Sequence, residues 1–186
     1  MTDAGVSLLA AQFDSSVGIF WERMEGLTDA EYLWEPVPHS WSLRPRGELR
    51  GSRGLGKGEF LLDFGREPKP APMRTIAWLM WHLAAGCLLR SEWTIGDHRL
   101  DDHDVECPMT ADGGIALLRR GFEHYRAIWD EVPTDEFAMV GRSQYPHGLD
   151  PKLPLQDILW WQNREVIHHC AEMALLRDLY ALTSSG

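Results

Sequence analysis

Four stretches with apolar residues three and four apart, the first three closed by glycine or proline, constrain this chain more than any other feature. The first runs from about Ala4 to Gly26, with Val6, Leu9, Phe13, Val17, Phe20 and Met24 on one face. The second begins near Met73, carries Ile76, Leu79, Leu83, Cys87, Arg90 and Trp93, and ends at Gly96. The third starts at Thr110 or Asp112, carries Ile115, Leu118, Phe122, Tyr125 and Trp129, and stops before Pro133. The fourth opens at Pro154, a residue favoured in a first helical turn, and reaches about Leu182. Four long helices with little strand signal predict an all-α four-helix bundle, in one domain spanning residues 1–186.

The connections are uneven. Thr28-x-x-Glu31 has the pattern of a capping box and predicts a short helical turn after Gly26. Leu33–Ser42, with Pro36 and Pro38, predicts an extended link. Residues 44–72 are rich in Gly, Arg and Pro and exceed an ordinary inter-helix loop. They read as a structured insertion or a functional flap, in which Glu59–Phe64 is a short strand or an apolar turn. An acidic loop follows the second helix from Asp97 to Pro108, and a further loop spans 133–153.

The last helix carries the chemistry. Glu165, His168, His169 and Glu172 share one side of it, because residues three and four apart are helical neighbours. Ile158, Trp161, Leu175 and Leu179 fall on the same stripe, so a core-facing row is expected to turn polar for two turns and then apolar again. A second apolar row, Leu159, Val166, Cys170, Met173, Leu176 and Tyr180, predicts burial on two sides. Burying carboxylates and imidazoles without partners costs several kcal/mol, about 2–7 per uncompensated polar group, and a metal ion is one compensation. On the second helix His82 stands alone in the apolar run Trp78–Ala84. His82 with two ligands four apart on the last helix makes a three-ligand centre of the open, catalytic kind. Two pairs fit that spacing, Glu165 with His169 and His168 with Glu172, and the pair left over would orient the ligands. Imidazole with carboxylate suits zinc, nickel, iron or manganese. A dinuclear carboxylate centre would need Glu-x-x-His on two helices, and only Glu165-x-x-His168 is present.

Bland readings accompany these. His82 alone reads as a satisfied core histidine, bonded to a backbone carbonyl or a Trp neighbour. Glu165 and Glu172 would pair with Arg164, Arg177 or Arg90. Cys87 and Cys170 read as core filler. Arg44, Arg46, Arg50, Arg53 and Lys57 read as a solvated loop or as a clamp for a carboxylate or phosphate. The acidic loop lacks the glycine and terminal glutamate of an EF-hand.

The net charge of −10 argues against a nucleic-acid partner. No apolar run is long enough to cross a membrane, and the first residues lack a signal peptide's basic and apolar regions. Three cysteines without a close pair fit a reducing, cytoplasmic setting.

Several segments together resemble the DinB-like four-helix superfamily. They are Trp34-x-Pro36 with Trp41-Ser42-Leu43, Thr75-Ile76-Ala77-Trp78 leading to His82-Leu83, and the terminal run Val166–Asp178. That superfamily includes thiol-dependent S-transferases and maleylpyruvate isomerases. The resemblance implies a metal triad of one His on the second helix and an HxxxH pair on the fourth. It places the metal on His82, Glu165 and His169, with Glu165 standing where the family usually has His. A register slip would select His168 and Glu172 instead. The expected cofactor is a divalent ion, zinc or nickel first, with a low-molecular-weight thiol as co-substrate. The expected function is a mononuclear metal-dependent transferase or isomerase acting on a small molecule. The alternative is a non-catalytic binding protein whose His/Glu cluster is a structural network, and a homodimer is the expected assembly.

Overall fold

The structure, a computed structural model, describes residues 3–145 and 152–184. The middle of the expected 133–153 loop and the chain's first two residues lie outside the described residues. The four long helices are α1 (Asp3–Arg23), α3 (Ile76–Ile95), α4 (Ala111–Glu131) and α5 (Leu155–Ser184), with a single turn, α2 (Asp29–Tyr32), after the first. Gly26, with φ at 69°, turns the chain after α1. Thr28 and Glu31 complete the capping box: Glu31 N–H donates to Thr28 Oγ1, and Thr28 N–H donates to Glu31 Oε2. Thr75 and Thr110 cap α3 and α4 through Trp78 N–H and Gly113 N–H.

Side-chain contacts fix the helix directions. Leu9 and Arg23 of α1 meet Asn163 and Asp178 of α5, so these two run parallel. Asp14 pairs with Arg126, and Trp21 lies under Arg119, so α4 runs against α1. His82 faces His169 while Cys87 meets Gln162, so α3 runs against α5. The bundle is therefore up-down-down-up. The chain must return from the far end of α3 to the near end of α4, and residues 96–110 do so along the side of α3. Trp93 Nε1–H donates to Leu100 O, and Trp81 Nε1–H to Glu106 O.

The core runs through Phe13, Phe20, Leu79, Leu83, Leu118, Phe122, Tyr125 and Leu159. Asn163, 1% exposed, ties three helices together: its Oδ1 accepts from Tyr125 Oη, and its Nδ2 donates to Leu9 O.

The structure is mostly helical, as expected, and the insertion adds a small antiparallel sheet, β1 (Leu43–Pro45), β2 (Arg53–Leu55) and β3 (Phe60–Phe64), with β3, the expected short strand, in the middle. The insertion is thus structured, and its order comes from one buried carboxylate. Asp63 accepts from Ser42 N–H, Arg44 Nε–H, Arg50 N–H and Gly51 N–H. One expectation, the inward face of α5, needs correction. Ile158 is buried, but Trp161, Leu175 and Leu179 are exposed, and the core row is Leu155, Leu159, Gln162, Val166, Cys170, Met173 and Leu176. Both rows have helical spacing, so apolar content alone did not separate them.

Candidate metal centre

The corrected rotation of α5 leaves Glu165, His169 and Glu172 at the edge of the core row, half-buried, with His168 exposed. α3 closes the other side. Donor atoms of His82, Glu165 and His169 all lie within 4.8 Å of one another. Donors around one tetrahedral ion bound at about 2.0–2.2 Å stand about 3.5 Å apart. The Glu165 Oε2–His169 Nε2 distance is 3.5 Å. The structure brings together the trio His82, Glu165 and His169, and leaves His168 out.

Each group has a distinct electrostatic setting. His82 stacks on Trp78, with centroids 4.9 Å apart and planes 23° apart, and meets His169 edge-on at 5.2 Å. Burial, reinforced by the nearby His169 charge, lowers its pKa to about 4, so at neutral pH it is an uncharged imidazole. No hydrogen bond to either of its ring nitrogens is made among the described residues, so of the bland reading the carbonyl bond is absent and the Trp neighbour, Trp78, is present. His169 lies between two carboxylates, with Nδ1 2.9 Å from Glu172 Oε2 and Nε2 towards Glu165. Burial disfavours its charge, but the bonds to Glu165 and Glu172 outweigh that and raise its pKa to about 8. Glu165 is lowered to about 2, first by its bond to His169 and then by Arg164, against the opposing effect of burial. Arg164 takes Glu165 Oε1 at 2.6 Å, which leaves Oε2 facing the imidazoles. Arg177, expected as a partner of Glu172, instead pairs with Glu31 at 3.0 Å.

A family model described as the DinB superfamily matches residues 12–173. The chain belongs to the DinB superfamily. A crystal structure of a conserved protein from Enterococcus faecalis shares this fold at 15% identity, with a TM-score of 0.56 over 96% of this chain and 97% of that one. No curated protein matches the sequence.

Within this DinB bundle the other candidate groups are otherwise engaged. Arg44 and Arg50 bind Glu35 and Ser40 O, Arg46 binds Gly58 O, and Arg53 lies over Phe64. They hold the insertion together. In the acidic loop Asp101 and Asp104 cap a 3-10 turn, and the cluster of Asp101, Asp102 and His103 sits at the surface. The three cysteines are free and buried. Burial pushes the Cys87 and Cys107 thiols up to about 12 and raises Cys170 as well, so none is a thiolate at neutral pH. The described residues contain no helix long and apolar enough to cross a membrane.

Sequence reasoning missed two residues here. Trp78 figured only as part of a family marker and as an unspecified Trp neighbour of His82, and Asp63 only as part of a strand or turn. A tryptophan four residues before a lone histidine on one helix was the available signal for the first.

Proposed function

We propose that His82, Glu165 and His169 hold one divalent ion, zinc or nickel, and that the chain is a metal-dependent transferase or isomerase using a low-molecular-weight thiol. The observation that supports this most is His82: a neutral, partly buried imidazole whose nitrogens make no hydrogen bond among the described residues, facing a carboxylate and a second imidazole. A bound divalent ion would act as a Lewis acid, lowering the pKa of a thiol or water at the open position. The protein's part is orientation. Glu172 accepts from His169 Nδ1–H, which fixes the tautomer and points the Nε2 lone pair at the site. Arg164 holds Glu165 as a carboxylate with one oxygen free.

A purely structural network would explain the Glu172–His169–Glu165 series, but it would leave the His82 nitrogens without a hydrogen bond among the described residues. Titration calorimetry with zinc and with nickel separates the two readings. One ion per chain is expected. Glu165→Ala should weaken binding at least about 100-fold and Glu172→Ala about 10-fold. His168→Ala should leave it unchanged. His169, with its pKa raised to about 8, carries a proton in the metal-free protein at pH 7. Binding should therefore release about one proton there and tighten as pH rises towards 8. Equal losses in Glu165→Ala and His168→Ala would contradict this ligand set.

The substrate proposed is a small molecule, and the setting a reducing cytoplasm, in keeping with the free thiols. The proposed assembly is a homodimer, supported by exposed Trp161, Leu175 and Leu179 on one side of α5. Sedimentation equilibrium should return twice the chain mass, and a monomer mass would contradict it.

A further inference from the structure

A metal-binding imidazole is ordinarily oriented by a hydrogen bond from its second ring nitrogen to a carboxylate or carbonyl. His169 has that bond, to Glu172. His82 has no such bond among the described residues, so something else must set its plane. Trp78, one turn earlier on α3, lies against it at 4.9 Å with the rings 23° from parallel.

Trp78 is itself fixed from several sides. It is 3% exposed. Its Nε1–H donates to Asp63 O at 2.7 Å, the Arg74 guanidinium stands 4.8 Å from its ring, and Trp41 packs at 6.3 Å. Asp63 belongs to β3, and its carboxylate collects donors from Ser42, Arg44, Arg50 and Gly51. A rigid chain of contacts thus runs from the sheet of the insertion, through the indole, to the imidazole.

Building on the metal reading above, we propose that Trp78 is the positioning residue for His82, and that the insertion sets the plane of that imidazole through the Asp63–Trp78 bond. Stacking replaces the usual hydrogen bond. It orients the ring while leaving both nitrogens uncommitted, and it makes the insertion part of the site's framework rather than a flap over it.

Trp81 supplies a matched control. It is equally buried on the same helix, and its Nε1–H donates to a backbone carbonyl, Glu106 O, at 3.0 Å. It makes no ring contact with His82. The test uses Trp78→Leu, Trp78→Phe and Trp81→Leu, with two readouts. The first is zinc affinity, measured by competition with a chromophoric chelator. Trp78→Leu should still bind one zinc but about 10–100-fold more weakly, and Trp78→Phe, which keeps a ring but loses the bond to Asp63 O, should fall between Trp78→Leu and the wild type. Trp81→Leu should lose comparable stability with less than about a threefold change in affinity. Equal weakening in Trp78→Leu and Trp81→Leu would overturn the proposal.

The second readout needs no metal: the carbon-13 relaxation order parameter of the His82 ring in the metal-free protein. It should be high in the wild type and in Trp81→Leu, and low in Trp78→Leu. An unchanged value in Trp78→Leu would overturn the positioning role. A wild type that binds no zinc would defeat the metal reading alone, since ring order still decides what Trp78 does.

Discussion

Asp63→Ala is expected to destabilise the fold by about 3–5 kcal/mol, the range for removing one partner of a buried ion pair. Asp63 is fully buried and its carboxylate accepts four hydrogen bonds, one of them from Arg44 Nε at 2.9 Å. Alanine would strand the Ser42, Arg50 and Gly51 amides and leave Arg44 with only its outward partners, Glu35 and Ser40 O. Asp63→Asn keeps an acceptor but loses the charge, so its penalty should be smaller, about 1.5–3 kcal/mol. Denaturant unfolding measures both. Asp63→Ala within about 1 kcal/mol of the wild type would show that the sheet is held by something other than this carboxylate.

Gly121→Val should rank second, at about 3 kcal/mol, at the upper end for overpacking. A Cβ at Gly121 would come within 2.9 Å of both Cα and O of Ala84, so it would meet the backbone of α3 rather than a movable side chain. Ala84 is fully buried, and the helices would have to part along the length of their contact. The opposite sign is expected at Gly18, an exposed position in α1 where a new Cβ meets nothing within 4 Å. There Gly18→Ala should stabilise by about 0.5–1 kcal/mol by narrowing the unfolded ensemble and raising helix propensity. Thermal unfolding of the two variants should move in opposite directions. A stabilising Gly121→Val would mean that the α3–α4 contact is looser than described.

Helix positions were legible in the sequence because their ends are chemically marked. Thr28, Thr75 and Thr110 cap, Gly26 and Gly96 stop, and the observed boundaries fall within a few residues of those marks. The sheet was legible only in β3, which falls within the stretch Glu59–Phe64 read as a short strand or a turn. β2 is Arg53-Gly54-Leu55, too short to show alternation, and its partner is chosen by the distant Asp63. The rotation of α5 was misread for a related reason: Trp161, Leu175 and Leu179 have the same period and apolarity as the true core row, and only packing against α1 and α3 selects between them. His82 with one of two pairs on the last helix was nonetheless reached from the residues, because an isolated histidine in an apolar run and polar residues four apart survive that error, and the resemblance to the DinB-like superfamily pointed to Glu165 and His169. The choice between Glu165/His169 and His168/Glu172 was beyond the sequence, since it depends on the very rotation that was misread.

The central claim is that α3 and α5 together hold one ion. Metal content by mass spectrometry, after dialysis against zinc and against nickel, tests it most directly. The wild type should retain about one equivalent of one of them, and His82→Ala and His169→Ala should each retain almost none while staying folded. Wild-type protein that emerges free of both metals, or His82→Ala that keeps its full equivalent, would contradict it.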